Sequence, residues 1–236
     1  IKRVEDSRLL TGNGLYTDDI SFENQAYMYI LRSPHANAKI LNIDLTDTSK
    51  ISGLIKIINW EELKKLSVND MQTTFLVKNR DGKDMVNTKR HILAKNYVRY
   101  VGDPVLAIIA ETLETAESVA DRIVINYEEL DNVTNISSAM NNSSVSVRDQ
   151  VSNNICFDWE LGDKEESQRK INSSAYKIDI QLINNRLVPN PMECRSTIGV
   201  YDNNKEEYTL YCSSQGVHSL KRKLSSIFNK SEDKMH

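Results

Sequence analysis

Hydrophobic and polar residues alternate over several short stretches in the first part of the chain, with the period of half-buried β-strands. The pattern predicts strands at residues 25–32, 39–45 and 54–58, with a turn at Ser33-Pro34-His35-Ala36 between the first two. Asn59, followed three positions later by Glu62, resembles a capping box and predicts a short helix over residues 60–66. Residues 67–99 carry no clear period, so the sequence predicts no element there.

The strongest local signal lies at residues 102–127. Val105-Leu-Ala-Ile-Ile-Ala110 is a continuous apolar run, typical of a buried strand, and a turn at Pro104 precedes it. Apolar residues then recur at helical spacing over residues 112–123, namely Ala116, Val119, Ala120 and Ile123. A strand at residues 124–127 follows, so the pattern predicts a β-α-β unit.

The second half of the chain begins with a segment of little periodicity. Residues 131–154 are rich in Asn, Ser and Val, which is typical of a connector between packed units, and we expect them to be the most exposed long segment. Strands are predicted at residues 175–182, 197–201 and 208–213, with a hairpin turn at 202–206. One face of an amphipathic helix, ending near Asn229, is marked by Val217, Leu220, Leu224, Ile227 and Phe228.

Composition places the chain among ordinary soluble globular proteins. Of its 236 residues, 39% are hydrophobic and 27% are charged, and the formal net charge is -3. Basic residues are scattered, which argues against nucleic acid or anionic lipid as a partner, and the apolar runs are far shorter than a membrane span. The cysteines, Cys156, Cys194 and Cys212, are too far apart for a metal knuckle, so reduced thiols in the cytoplasm are expected.

Short motifs taken singly do not identify a catalytic site. Gly12-Asn-Gly14 lacks the third glycine and the strand-then-helix setting of a dinucleotide loop, and no phosphate-binding P-loop is present. The four histidines lack metal-ligand spacing and are interpreted as surface or turn residues; they are His35, His91, His218 and His236. Lys221-Arg-Lys223 is interpreted as the solvated face of the last helix.

Seven segments in sequence together carry a family resemblance. They are Arg3-Val-Glu-Asp-Ser-Arg-Leu-Leu-Thr-Gly12, Leu31-Arg-Ser-Pro-His-Ala-Asn-Ala-Lys-Ile40, Tyr100-Val-Gly-Asp-Pro-Val105, Thr115-Ala-Glu-Ser-Val-Ala-Asp121, Asn126-Tyr-Glu-Glu-Leu130, Pro191-Met-Glu-Cys-Arg195 and Ser214-Gln-Gly-Val-His218. Because they occur in order and cover essentially the whole chain, the sequence resembles the large, molybdopterin-binding subunits of xanthine dehydrogenases, aldehyde oxidases and carbon monoxide dehydrogenases.

The resemblance implies an α+β fold with several parts. The polar, turn-rich composition of the first residues predicts an N-terminal arm at 1–11 that lies on something else, and the resemblance assigns residues 12–130 to an α/β hammerhead domain. Residues 131–154 would be a connector, and residues 155–236 the beginning of the first molybdenum-cofactor-binding domain. The family's Gly-Gly-Phe-Gly loop, its substrate loop and its general-base glutamate would all lie beyond His236. We therefore expect an N-terminal fragment that is inactive and without cofactor by itself.

The resemblance also implies a chemistry. Such enzymes hydroxylate an aldehyde, an N-heterocycle or a similar small molecule, or oxidise carbon monoxide, with water as the oxygen source. The cofactor would be molybdenum-molybdopterin, and the electrons would pass to iron–sulfur and FAD subunits or domains in a dimer of heterotrimers. No nucleic-acid or membrane partner is implied. The sequence leaves the substrate open.

Gln215 is the candidate catalytic, cofactor-binding and metal-site residue, because it matches the family glutamine that approaches the molybdenum oxo group. A neutral amide suits that place, since its NH₂ group can donate a hydrogen bond to a metal-bound oxygen that gains negative charge. A carboxylate would be repelled by the same charge. Gly216-Val217 departs from the Gln-x-Pro-His pattern of relatives, which leaves the corner less rigid. Glu193 matches the family as well and is interpreted as a supporting or structural residue.

Two other functions are compatible with the sequence. The chain could be a non-catalytic module that uses the hammerhead domain to dock onto other subunits. It could also be a free-standing α+β protein that binds a small molecule in a closed pocket. Sequence that continued beyond His236 into a Gly-Gly-Phe-Gly segment would favour the enzyme over the docking module, and a ligand found in a closed pocket would favour the binding protein.

Overall fold

The computed structural model describes residues 3–48, 50–71, 73, 75–141 and 145–236, and its helices and strands form the predicted α+β fold. In chain order the helices are α1 (Asp6–Leu10), α2 (Trp60–Lys65), α3 (Leu113–Ala120), α4 (Ile136–Ala139), α5 (Lys164–Ser173) and α6 (Val217–Phe228). The strands are β1 (Tyr27–Arg32), β2 (Ala38–Asp44), β3 (Leu54–Ile58), β4 (Tyr97–Val98), β5 (Pro104–Ala110), β6 (Val124–Glu129), β7 (Thr197–Asp202) and β8 (Glu207–Cys212).

The strands form two antiparallel sheets and a hairpin. The first sheet has the order β1-β5-β3 and the second the order β4-β2-β6, whereas β7 pairs with β8. Ile108 in the middle of β5 lies opposite Tyr29 of β1 and Ile57 of β3. Strand β5 is therefore the centre of the first sheet.

The predicted β-α-β unit at residues 102–127 has the right elements but the wrong topology. Both edges of β5 are occupied, by β1 and by β3, so no edge is left for β6. Strand β6 pairs instead with β2 in the second sheet, where Ile125 lies opposite Ile43. Helix α3 packs on the first sheet and leads the chain into the second.

The hydrophobic core lies where β5 meets α3 and the second sheet. One buried cluster contains Ile108, Ala110, Ala116, Val119 and Ala120. The other contains Ala38, Ala94, Val98, Val105 and Leu106. Because β5 supplies residues to both clusters, it joins the two sheets through apolar packing.

Local capping interactions explain where the helices begin and end. The Asn59 side chain accepts a hydrogen bond from the Glu62 N–H at 2.9 Å, which confirms the predicted start of α2. Thr112 caps α3 in the same way, through the Thr115 N–H at 3.1 Å. Helix α6 ends where Asn229 adopts a left-handed conformation with φ of 53°, a common way to terminate a helix. Among the described residues, every helix is too short or too polar to span a lipid bilayer.

Residues 69–90, called the strap below, belong to the segment for which the sequence predicts no element. Their described residues lie against the second half of the chain. The Val86 N–H donates to the Cys156 carbonyl at 2.8 Å, and the Arg80 N–H donates to the Asp158 carbonyl at 2.9 Å. The Arg80 guanidinium also forms ion pairs with Asp158 at 2.5 Å and Glu160 at 3.2 Å. The strap therefore links the two halves of the chain.

The strand predicted at residues 175–182 is wrong. The structure has no regular element there, and residues 171–192 are exposed throughout, with Tyr176 91% and Leu182 84% accessible. The alternating apolar pattern is present, but no described strand pairs with it. A strand is stable only when a neighbour satisfies its backbone and covers its apolar face.

We expected residues 131–154 to be the most exposed long segment. Among the described residues, segment 171–192 is more exposed, so that expectation is wrong. Within that connector, α4 and a short turn at Ser152–Asn154 form, and Val151 is buried at 3% exposure, while residues 142–144 lie outside the described part. The N-terminal arm, described from residue 3, contains α1, which buries no residue among the described ones. The proposed domain limits remain predictions.

Replacing Leu106 with Ala should lower the free energy of unfolding by about 2–5 kcal/mol, because it leaves a cavity in the core. Leu106 is 1% exposed, whereas Leu187 is 83% exposed, so Leu187→Ala is a matched control that should change stability by less than about 0.5 kcal/mol. Urea denaturation followed by circular dichroism measures both. Equal losses for the two variants would contradict this assignment of the core.

Limited digestion with chymotrypsin should cut first within residues 171–192, because Tyr176 and Leu187 lie there in exposed, irregular backbone. Mass spectrometry of the earliest fragments identifies the site. A first cut at 102–130 would place the weakest part of the structure in the core sheet and contradict the fold. A first cut at 131–154 would support the expectation from the sequence that those residues are the most exposed long segment.

Candidate functional site

Gln215 lies in the corner that joins β8 to α6. In this corner the Ser214 hydroxyl oxygen accepts a hydrogen bond from the Gly216 N–H at 3.1 Å, and the Ser219 hydroxyl donates to the Gly216 carbonyl at 2.8 Å. Gly216 occupies the N-cap position and offers no side chain to the first turn of the helix. The corner is thus held by two serines, one on each side of the glycine.

The Gln215 side chain is exposed and makes no hydrogen bond to any described residue. Its amide can therefore donate and accept toward a bound group without first breaking a contact within the protein. The peptide on its C-terminal side is fixed through the Ser214 and Ser219 contacts to Gly216. A free amide on a fixed backbone suits the orientation of a ligand.

The β7–β8 hairpin brings a second motif to the same end of the molecule. Thr197 lies opposite Cys212, so the residues before β7 and those after β8 leave the hairpin together. Glu193, in the Pro191-Met-Glu motif, is half-buried, and its Oε1 accepts the Thr17 N–H at 3.4 Å. Thr17 is buried and begins a short turn, Thr17–Asp19, near the N-terminus. Glu193 therefore holds the N-terminal part of the chain against this end of the hairpin.

An aromatic contact reinforces this junction. The rings of Phe22 and Tyr211 lie 5.4 Å apart at their centroids. Phe22 follows the turn that Glu193 holds, and Tyr211 is the penultimate residue of β8, next to the Gln215 corner. Three stretches that are distant in sequence, residues 17–22, 191–195 and 211–216, therefore meet at one end of the hairpin.

The opposite end of α6 is held by the strap. The Asn69 N–H donates to the Ile227 carbonyl at 2.7 Å, and the Asn69 side-chain amide donates to the Ser226 carbonyl at 2.9 Å. Both carbonyls belong to the last turn of the helix, where no intrahelical donor remains. The Phe228 ring also stacks on Tyr208, with centroids 5.7 Å apart. Sequence reasoning missed Asn69, because a polar residue in a segment without periodicity carries no signal for a distant helix end.

Three of the four histidines lie apart from this corner, whereas His218 is the second residue of α6. His35 is in the turn between β1 and β2, where its Nδ1 lies 3.4 Å from Glu129. His91 pairs with Asp70 at 2.9 Å, and His236 lies 3.6 Å from Glu207. In the part of the chain that the structure describes, no group of three or more His, Cys, Asp or Glu side chains could hold a metal ion. Any metal at the Gln215 corner would need its ligands from elsewhere.

Comparisons with known protein families match both halves of the chain. Residues 11–131 match the model described as aldehyde oxidase and xanthine dehydrogenase, a/b hammerhead domain. Residues 147–236 match the model of a molybdopterin cofactor-binding domain. The Gln215 corner lies within the second match and the core sheets lie within the first.

Curated relatives are similar over nearly the whole chain. The carbon monoxide dehydrogenase large chain of Afipia carboxidovorans is 25% identical over 100% of this chain and 29% of its own length. The nicotine 6-hydroxylase large subunit of Paenarthrobacter nicotinovorans is 27% identical over 95% of this chain and 27% of its own length. The chain thus spans under a third of the length of these relatives.

A solved structure has the same fold. The quinoline 2-oxidoreductase of Pseudomonas putida 86 superposes with a TM-score of 0.81 at 25% identity, covering 100% of this chain and 29% of that one. The likeness extends over the sheets, the hairpin and the last helix, because the whole chain is covered.

Replacing Gly216 with Ala should destabilise the corner by about 1 kcal/mol, because a Cβ there would lie 2.7 Å from the Ser219 Oγ and would displace its hydrogen bond. In a Ser219→Ala background the clash is absent, so adding Gly216→Ala should cost less than it does in the wild type. Thermal denaturation of the two single variants and the double variant measures this coupling. Additive effects would contradict the geometry of the corner.

Proposed function

This chain belongs to the aldehyde oxidase and xanthine dehydrogenase family, and on that premise we propose that it is the N-terminal part of the molybdenum-cofactor-binding subunit of a molybdenum hydroxylase. The match of residues 147–236 to a molybdopterin cofactor-binding domain supports molybdenum-molybdopterin as the cofactor. Coverage of 29% of the first relative supports the interpretation as part of a larger subunit.

The single observation that carries the proposal is that the Gln215 side chain is exposed and has no hydrogen-bond partner among the described residues. This amide lies on a corner fixed by two serines, within the part of the chain that matches the cofactor-binding domain. The absence of a ligand cluster among the described side chains is compatible with this role, since a residue that acts by hydrogen bonding need not coordinate the metal. Gln215 therefore suits a role as a hydrogen-bonding neighbour of the cofactor.

The bound cofactor would supply the two-electron oxidation of the substrate, with water as the oxygen source. Gln215 would donate a hydrogen bond from its NH₂ group toward negative charge that develops at the reacting centre. A neutral amide can do this at any physiological pH, because it has no proton to lose.

We propose two domains, a hammerhead at residues 12–130 and the start of a cofactor-binding domain at 155–236, joined by residues 131–154; the matched ranges 11–131 and 147–236 support this division. Glu193 would serve as a structural residue, since its carboxylate holds the turn at Thr17.

We also propose that the complete subunit works with iron–sulfur and FAD subunits, in a dimer of heterotrimers. The names of relatives support the presence of other subunits, since these proteins are a large chain, a large subunit and a subunit gamma. The substrate class would be an aldehyde, an N-heterocycle or carbon monoxide. Three free cysteines suit a reducing compartment such as the cytoplasm.

Replacing Gln215 with Ala in the complete subunit should slow turnover by about 10²–10³-fold, equivalent to roughly 3–4 kcal/mol, by analogy with removal of one oxyanion-hole donor. Melting temperature should barely change, because an exposed side chain leaves no cavity when it is shortened. The measurements are turnover, molybdenum content and melting temperature on the same preparation.

Gln168→Ala is the matched control. Gln168 is an exposed glutamine on α5, and among the described residues its side chain hydrogen-bonds only with Asn172, so its loss should leave turnover unchanged. If Gln215→Ala keeps wild-type turnover and metal content but melts many degrees lower, Gln215 is a structural corner residue. If the complete wild-type subunit binds no molybdenum, the enzyme is excluded and the docking module is favoured.

A further inference from the structure

A cleft of about 480 Å³ concentrates positive charge on an acidic protein. It is lined by Met71 and by ten residues between 89 and 103 of the first half, and by residues 148–150 of the second. Its walls carry Lys89, Arg90, Lys95, Arg99 and Arg148. The carboxylates on the same walls are Asp103 and Asp149, so cations outnumber anions although the whole chain has a net charge of -3. A concave surface of one sign focuses the electrostatic field on its interior.

One of the two carboxylates is already engaged. Asp103 accepts the Arg99 N–H at 2.9 Å through its side chain. Burial and the Asp103 charge raise the pKa of the neighbouring Tyr100 hydroxyl, while the Arg90 charge lowers it. Asp103 is therefore bound to the wall of the cleft, and the two carboxylates leave three of the five cations on the walls unbalanced.

Two of the arginines are held in place by the protein. The Arg99 guanidinium donates to the Asn37 side chain at 3.1 Å and lies 4.5 Å above the Tyr97 ring. Arg148 donates to the Lys89 carbonyl at 3.1 Å. Each guanidinium carries five N–H donors, so most donors of both remain available to a ligand. Arginines fixed in this way lose little conformational entropy when they bind an anion.

The remaining cations lack strong partners. Lys95 lies 4.3 Å above the Trp60 ring, a contact that leaves its ammonium protons free. The side chains of Lys89 and Arg90 make no hydrogen bond or ion pair with any described residue. Several positive groups thus face one space, an arrangement that costs free energy through mutual repulsion unless an anion occupies it.

We propose that this cleft binds a small multivalent anion of the phosphate class. The volume lies within the usual range for a small-molecule site. The planar fork of arginine matches the tetrahedral oxygens of a phosphate group, and several arginines favour more than one negative charge. Because Arg148 lies in the second half of the chain, the bound anion would also tie the two halves together.

The test is isothermal titration calorimetry of the 236-residue chain with inorganic pyrophosphate at low ionic strength. We expect saturable binding that weakens as salt is added. Arg90→Gln should weaken it, and Arg90→Gln combined with Arg148→Gln should weaken it by roughly tenfold or more. Arg90→Gln alone keeps the test valid if the double variant fails to fold, because the Arg90 side chain makes no hydrogen bond or ion pair with any described residue that its loss would break.

The matched control is Lys177→Gln combined with Arg186→Gln, which removes the same charge from the exposed segment at residues 171–192. It should leave binding unchanged. Equal weakening by both double variants would mean that only bulk charge attracts pyrophosphate, and would overturn the site. Absence of binding to the wild type would overturn it as well. Citrate that bound as tightly as pyrophosphate would overturn the phosphate class.

Discussion

Strand β5 has a hydrogen-bonded neighbour on each edge and buried apolar side chains along its length, so its position constrains every element around it. Moving it by one residue would turn Leu106, Ile108 and Ala110 away from the clusters that they fill. The position of this one strand determines the order of the first sheet and the surface on which α3 packs. It also explains why β6 pairs in the second sheet. Its sequence is nearly continuous in apolar residues because both of its faces are largely buried away from water.

The candidate site depends on that framework indirectly, through contacts made by other segments of the chain. The strap emerges between β3 and β5 and reaches the last turn of α6 through Asn69, while Glu193 ties the other end of the hairpin to Thr17. The corner with Gln215 is therefore bounded by contacts from distant parts of the chain. Its geometry is a property of the tertiary structure, although the residues in the corner are consecutive.

Local signals in the sequence were sufficient for elements whose stability is local. The Asn59 cap, the run from Val105 to Ala110 and the amphipathic pattern of α6 each predicted an element within a residue or two of its observed limits. Partner choice was not predictable in this way: the pattern at residues 102–127 could not show that β1 and β3 already occupied both edges of β5. Residues 175–182 have the alternation of a strand but no partner. Gln215 was found from a motif, and its free amide was visible only in the structure.

The order in which the strands occur along the chain has a consequence for synthesis on the ribosome. Tyr27 of β1 pairs with Ala110, and Leu54 of β3 pairs with the same residue from the other side. Both outer strands therefore leave the ribosome well before the central strand that joins them. During that interval their apolar faces have no partner, and closing such long loops slows folding. The nascent chain is thus most in need of chaperone protection before residue 110 has emerged, and the first sheet can form only afterwards.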